Sequence, residues 1–80
     1  MSELREWVRE EIERIYTDAL GTGYVNEDDV CDELGDYFDD VEDCDDAVLK
    51  QAYGMARDTM GEDYETGVAM LKAALELLAA

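Results

Sequence analysis

Between Thr17 and Leu49 the chain has no lysine, arginine or histidine, yet that stretch carries thirteen acids. They are Asp18, Glu27, Asp28, Asp29, Asp32, Glu33, Asp36, Asp39, Asp40, Glu42, Asp43, Asp45 and Asp46. The stretch holds −13 of the formal net charge of −17 in an 80-residue protein. Self-repulsion of this size weakens a compact state. Any fold must therefore turn one side of the stretch inward and spread the acids through solvent on the other.

The rest of the composition permits such a fold. Apolar residues make up 48% of the chain, too many for the low-hydrophobicity signature of disorder. Eighty residues make one small domain, 1–80, in the size range where stability is marginal. The start, Met-Ser-Glu-Leu-Arg-Glu, lacks the charged-then-apolar pattern of a signal peptide. No apolar run approaches the roughly 20 residues that span a bilayer. The expectation is a cytoplasmic protein that does not meet a membrane. Direct nucleic-acid contact is also disfavoured, because it wants basic patches.

Apolar residues recur at three- and four-residue spacing throughout, so the expectation is an all-α fold: a compact bundle of about four short helices. Ser2 suits the start of the first. Its stripe is Leu4, Val8, Ile12, Ile15, Tyr16 and Ala19, with Trp7 and Leu20 at the edges. Glu10 stands four residues before Arg14, the favourable order for a helical ion pair. Gly21 and Gly23 end this helix. Asn26 is a good cap for a second helix over about 27–41, with Val30, Leu34, Tyr37, Phe38 and Val41 inward and Gly35 in its interior. A third helix follows Asp45 or Asp46, carries Val48, Leu49, Ala52, Met55, Ala56 and Thr59, and stops at Gly61. A fourth starts near Asp63, with Tyr64, Val68, Leu71, Leu75 and Leu78 inward.

On a helix turning about 100° per residue, the apolar residues of the second helix fall within roughly 120°. Asp28, Asp29, Asp32, Glu33, Asp36, Asp39 and Asp40, with Asp43 just beyond, fall on an opposite arc of roughly 140°. Eight acids over this length give one charge per ~3 Å of axis, near the one phosphate per about 3.4 Å of a single DNA strand. These eight are the candidate partner-binding residues. A merely solvated surface would also be acidic, and so would a protein adapted to high salt. Salt adaptation should spread acids over every helix, whereas the first helix keeps Arg5, Arg9 and Arg14, and the fourth has few charges.

Catalytic chemistry finds little support. There is no histidine, the commonest general base, and the only serine is Ser2. Cys31 and Cys44 lack a neighbouring activator, and with no histidine they do not supply a zinc shell. They read as reduced thiols. No phosphate loop or nucleotide fingerprint is present, so no cofactor is implied. No frame starting at Asp39, Asp40 or Asp43 gives the glycine of a calcium loop, so no metal site is expected. An acyl carrier would need a serine where the second helix begins, and Asn26-Glu27-Asp28-Asp29 has none. The expectation is a protein that is not an enzyme.

The fourth helix holds more apolar surface than one stripe needs. From Val68 to Ala80 only Lys72 and Glu76 are charged, and Met70, Ala73 and Leu77 fall on a different side. Such a helix is either central in the core or shared with another chain. Met70, Ala73 and Leu77 are therefore candidates for a homodimer or partner contact.

In size, acidity and helical pattern the chain resembles phage-encoded inhibitors of host defence, the anti-CRISPR proteins and antirestriction DNA mimics. The run from Glu27 to Asp46 carries the resemblance. It implies a stoichiometric inhibitor that occupies a basic nucleic-acid-binding surface, most concretely a CRISPR effector complex in a host bacterial cytoplasm. The class shares no motif, so it assigns no residue a role. The nearest alternative is an antitoxin or immunity protein against a basic nuclease. Colicin-type immunity proteins are similar in size and acidity, but their tyrosine-pair, proline-containing motif is absent: Tyr53 precedes Gly54 and the chain has no proline. A halophilic protein-interaction domain is the other alternative.

Overall fold

In the computed structural model, which describes residues 3–79, the chain forms five helices and, among the described residues, no strand. They are α1 (Glu3–Thr22), α2 (Glu27–Asp29, continuing without interruption into a π-helical turn, Val30–Leu34), α3 (Phe38–Asp43), α4 (Ala47–Arg57) and α5 (Tyr64–Ala79). The expected cap at Ser2 lies outside the described residues.

The starts and stops follow local chemistry. Asn26 Oδ1 accepts from the Asp28 N–H at 2.9 Å, and Asp46 Oδ1 from the Leu49 N–H at 3.0 Å. Asp63 Oδ1 accepts from the Thr66 N–H at 2.9 Å. Each satisfies an amide that a helix start leaves without a partner. Gly23 and Gly61 take left-handed φ values of 85° and 87° beyond α1 and α4. Only glycine enters that region without strain. Gly21 lies inside α1, so Gly23 alone makes this stop.

α5 packs against both α1 and α4, and these three helices enclose most of the core. α1 contributes Val8, Ile12, Ile15 and Ala19; α4 contributes Leu49, Ala52, Tyr53 and Ala56; α5 contributes Leu71, Ala74 and Leu78. α5 comes close to the link after α1, because Gly67 lies against Val25: a β-carbon there would stand 2.9 Å from Val25 Cγ2.

The second expected helix is broken. It runs through α2 and its π-helical turn, passes a turn at Asp36–Tyr37, and resumes as α3. Gly35 is not the cause: its φ of −58° and ψ of −32° are helical, and a β-carbon there would meet nothing within 4 Å. The irregular residue is Tyr37, with φ −105° and ψ 2°. The Leu34 carbonyl accepts from the Tyr37 N–H at 3.1 Å, three residues on rather than four, and also from the buried Tyr53 hydroxyl of α4. The tertiary hydrogen bond helps satisfy a carbonyl at the break. Only Val30, Leu34 and Val41 from this region enter the core.

Two side chains expected inward are outside. Phe38 is 39% exposed, because α3 starts anew after the turn and no longer continues the arc set by Val30 and Leu34. Val48 is 38% exposed, in the first turn of α4.

Candidate acidic interface

The eight acids occupy four local settings. Asp28 and Asp29 lie in the first turn of α2, where negative charge suits the helix dipole. Asp32 and Glu33 lie in the π-helical turn. Asp36 is in the break, Asp39 and Asp40 open α3, and Asp43 ends it. Asp28, Asp32, Asp36, Asp39, Asp40 and Asp43 are exposed, whereas Asp29 and Glu33 are half-buried. The charge density derived for one straight helix therefore does not describe the surface. Four of the acids precede the Asp36–Tyr37 turn, Asp36 lies in it, and three follow it.

The half-buried pair faces α1. Arg14 Nη1 lies 3.5 Å from Glu33 Oε1 and 3.5 Å from Glu11 Oε2, so one guanidinium nitrogen joins two helices. Glu10, the partner expected from spacing, is not the one Arg14 uses. Burial pushes the Glu11 carboxyl above its usual range, hydrogen bonding with Glu33 and the Glu33 charge push it further, and Arg14 opposes the rise. Glu33 Oε2 is enclosed and finds no donor among the other described groups. Asp29 is also pushed up, first by burial and then by the charges of Glu33, Asp18, Asp28 and Asp32. Elsewhere Arg5 Nη1 stands 3.8 Å from Asp46, and Arg9 Nη1 3.8 Å from Glu13. Among the described residues, none of the six exposed acids has a cation within ion-pair distance.

Sequence reasoning missed a second feature. Between α3 and α4 lies an open groove of about 260 Å³, lined by Phe38, Val41 and Tyr53 with Glu42 and Lys50. The Arg57 guanidinium carbon stands 5.2 Å from the Phe38 ring centre and 5.9 Å from that of Tyr53. Its Nη1 donates to the Tyr53 hydroxyl at 3.5 Å. Burial raises the Tyr53 pKa, the hydrogen bond and charge of Arg57 oppose the rise, and Asp39 adds to it. The signal in the sequence was an isolated aromatic pair, Tyr37-Phe38, inside an acidic run. An unbroken helix makes both residues core.

Met70, Ala73 and Leu77 are each half-buried, and Leu77 packs against the core. Both cysteines are free thiols; Cys31 is exposed, and Cys44 Sγ donates to the Val41 carbonyl at 2.9 Å. Among the described residues, no group of three or more ligand-type side chains is arranged to hold a metal ion, and no helix is long and apolar enough to cross a membrane. No protein-family model matches this chain, and neither the curated proteins nor the solved structures contain a significant match.

Proposed function

We propose that the protein is a stoichiometric inhibitor whose acidic surface occupies a basic nucleic-acid-binding site, in the manner of an anti-CRISPR protein that blocks DNA binding by a CRISPR effector complex. It acts by occupancy in the bacterial cytoplasm and carries out no catalytic step. The observation that carries this reading is the set of six exposed acids, Asp28, Asp32, Asp36, Asp39, Asp40 and Asp43, none of which has a neutralising cation among the described residues. The protein's own arginines could have covered them. Arg5, Arg9 and Arg14 are instead engaged on or against α1. Opposed potentials speed encounter and set specificity more than they add affinity. Binding should therefore be fast and weaken as salt rises.

The test uses purified CRISPR effector complexes, their target DNA and gel mobility shift. Wild-type protein should prevent DNA binding in proportion to its molar ratio, and DNA bound first should protect the complex. Each exposed acid contributes up to about 1 kcal/mol, so Asp32→Asn alone should be mild. Combined reversal of Asp32, Asp36, Asp39 and Asp40 to lysine should weaken inhibition on the order of a hundredfold or more. A reversed variant with unchanged circular dichroism that inhibits as well as wild type would sink the proposal. Contact between two copies through Met70, Ala73 and Leu77 is a separate proposal. It fails if wild type sediments as a monomer at high concentration.

A further inference from the structure

We infer that the groove between α3 and α4 seats one large apolar side chain of a basic protein partner, and so adds a fixed anchor to a surface otherwise dominated by charge. This inference rests on the inhibitor reading above and names what that partner must present.

Size limits the occupant. At about 260 Å³ the groove falls below the roughly 300–1,000 Å³ typical of small-molecule and cofactor sites. It suits a single leucine or aromatic side chain. Its walls are Phe38, Val41 and Tyr53, so the floor offers apolar contact. The walls are also held in place before binding. Arg57 lies over the Phe38 and Tyr53 rings, and Tyr53 is tied through its hydroxyl to the Leu34 carbonyl. A site whose side chains are already fixed loses less freedom when occupied.

Charge identifies the partner. Glu42 lines the groove, and Asp39, Asp40 and Asp43 stand exposed on the same short helix. An apolar side chain that reaches the groove brings its flanking residues near these four carboxylates of α3, which outnumber Lys50 and Arg57 of α4, so the charge balance favours basic flanks. Lys50 on the opposite wall is compatible, since lysine lays an apolar stem along such surfaces and keeps its charge in water. DNA has no side chain of this kind. The groove would let the protein distinguish one basic protein from another, as buried apolar anchors do at interfaces rimmed by charge.

Two synthetic probes test this in a nuclear magnetic resonance titration of the ¹⁵N-labelled full chain at low salt. Both are short Lys/Arg-rich helical peptides, one with a central leucine and the other with alanine there. The leucine peptide should bind at least about tenfold more tightly, and should shift the amides of Phe38, Val41, Lys50 and Tyr53. The alanine peptide should shift mainly the acidic residues. Phe38→Ala, which removes a wall, and Lys50→Phe, which fills the groove from an exposed position, should each erase the difference, read within one variant so that the charge lost at Lys50 acts on both peptides alike. Circular dichroism confirms that each variant folds. Equal affinity for the two peptides would overturn the groove and leave the acidic surface standing. A leucine preference that survives both variants would also overturn it. Binding of neither peptide would overturn the groove and the inhibitor reading together.

Discussion

The three-helix scaffold of α1, α4 and α5 and the acidic segment 27–46 solve opposite problems. The scaffold holds all six bases and eleven of the fourteen buried apolar residues. The acidic segment has no base of its own and sends only Val30, Leu34 and Val41 into the core. It is held by ties that start on or beside the scaffold: Tyr53 to the Leu34 carbonyl, Arg14 to Glu33, Arg5 to Asp46, and the Gly61 N–H to Glu27 Oε1 at 3.1 Å. The contrast shows how a small domain can carry twelve acids in one segment that has no base. Hydrophobic burial is concentrated where the charge is low, and the charged segment is pinned at a few polar points.

That division can be broken from the scaffold side first. Leu71 is fully buried in α5, between its neighbours α1 and α4. Leu71→Ala should lower stability by about 2–5 kcal/mol, measured by urea denaturation, with both regions melting together. Separate transitions would mean that the acidic segment folds on its own.

Proton linkage probes the seam between the regions. Glu11 and Asp29 have raised pKa values in the fold, so the native state holds protons that the unfolded chain releases. Stability from these groups is fully present below the ordinary carboxylate range and is lost as pH rises through their folded values. Asp63 works in the other direction: its carboxyl is lowered by hydrogen bonding to Thr66, and its contribution is lost as pH falls below that same range. The melting temperature should therefore peak in mild acid and fall towards neutrality. Glu11→Gln should flatten this fall. An unchanged slope in that variant would remove Glu11 from the account. Moderate salt should raise the neutral-pH melting temperature, since it screens repulsion among the acids.

Tyr53→Phe removes one tie without opening a cavity. It should cost about 1 kcal/mol, and amide exchange should quicken around Leu34–Phe38 more than in α1. Equal change everywhere would show that the hydroxyl does not pin the segment locally. The smallest effect is expected at Gly35, which is helical and has room for a β-carbon. Gly35→Ala should stabilise by about 0.5–1 kcal/mol and leave the break in place. A rise in helix content beyond that of one residue would instead make glycine the cause of the break.

The scaffold was legible because its signals are local. Of the α1 stripe, Val8, Ile12, Ile15 and Ala19 are buried, and Leu4 and Tyr16 pack half-buried against the core. Asn26, Asp46 and Asp63 cap the helices they were expected to start. The acidic segment was legible as acids facing solvent, but not in its shape. A carbonyl at its break accepts from a hydroxyl 19 residues away, which no helical period encodes. The one glycine that suggested weakness is regular, and the irregular residue is a tyrosine. Phe38 was misplaced for that reason, and the groove beside it was missed. Arg14 reaches past Glu10 to Glu11 and Glu33 because the packing of two helices brings a better-placed carboxylate than spacing alone supplies.

Trp7 is the chain's only tryptophan, and it stands on α1 with its ring centre 6.4 Å from that of Tyr37, at an angle of 35°. Tyr37 is the residue at which the acidic segment turns. Trp7 is 47% exposed, so its emission answers to whatever approaches that joint. The molecule thus carries its own optical gauge at the seam between its two regions. Intrinsic fluorescence can follow the docking of the acidic segment without any added label, and a partner that covers the turn would register as a blue shift in a single emission band.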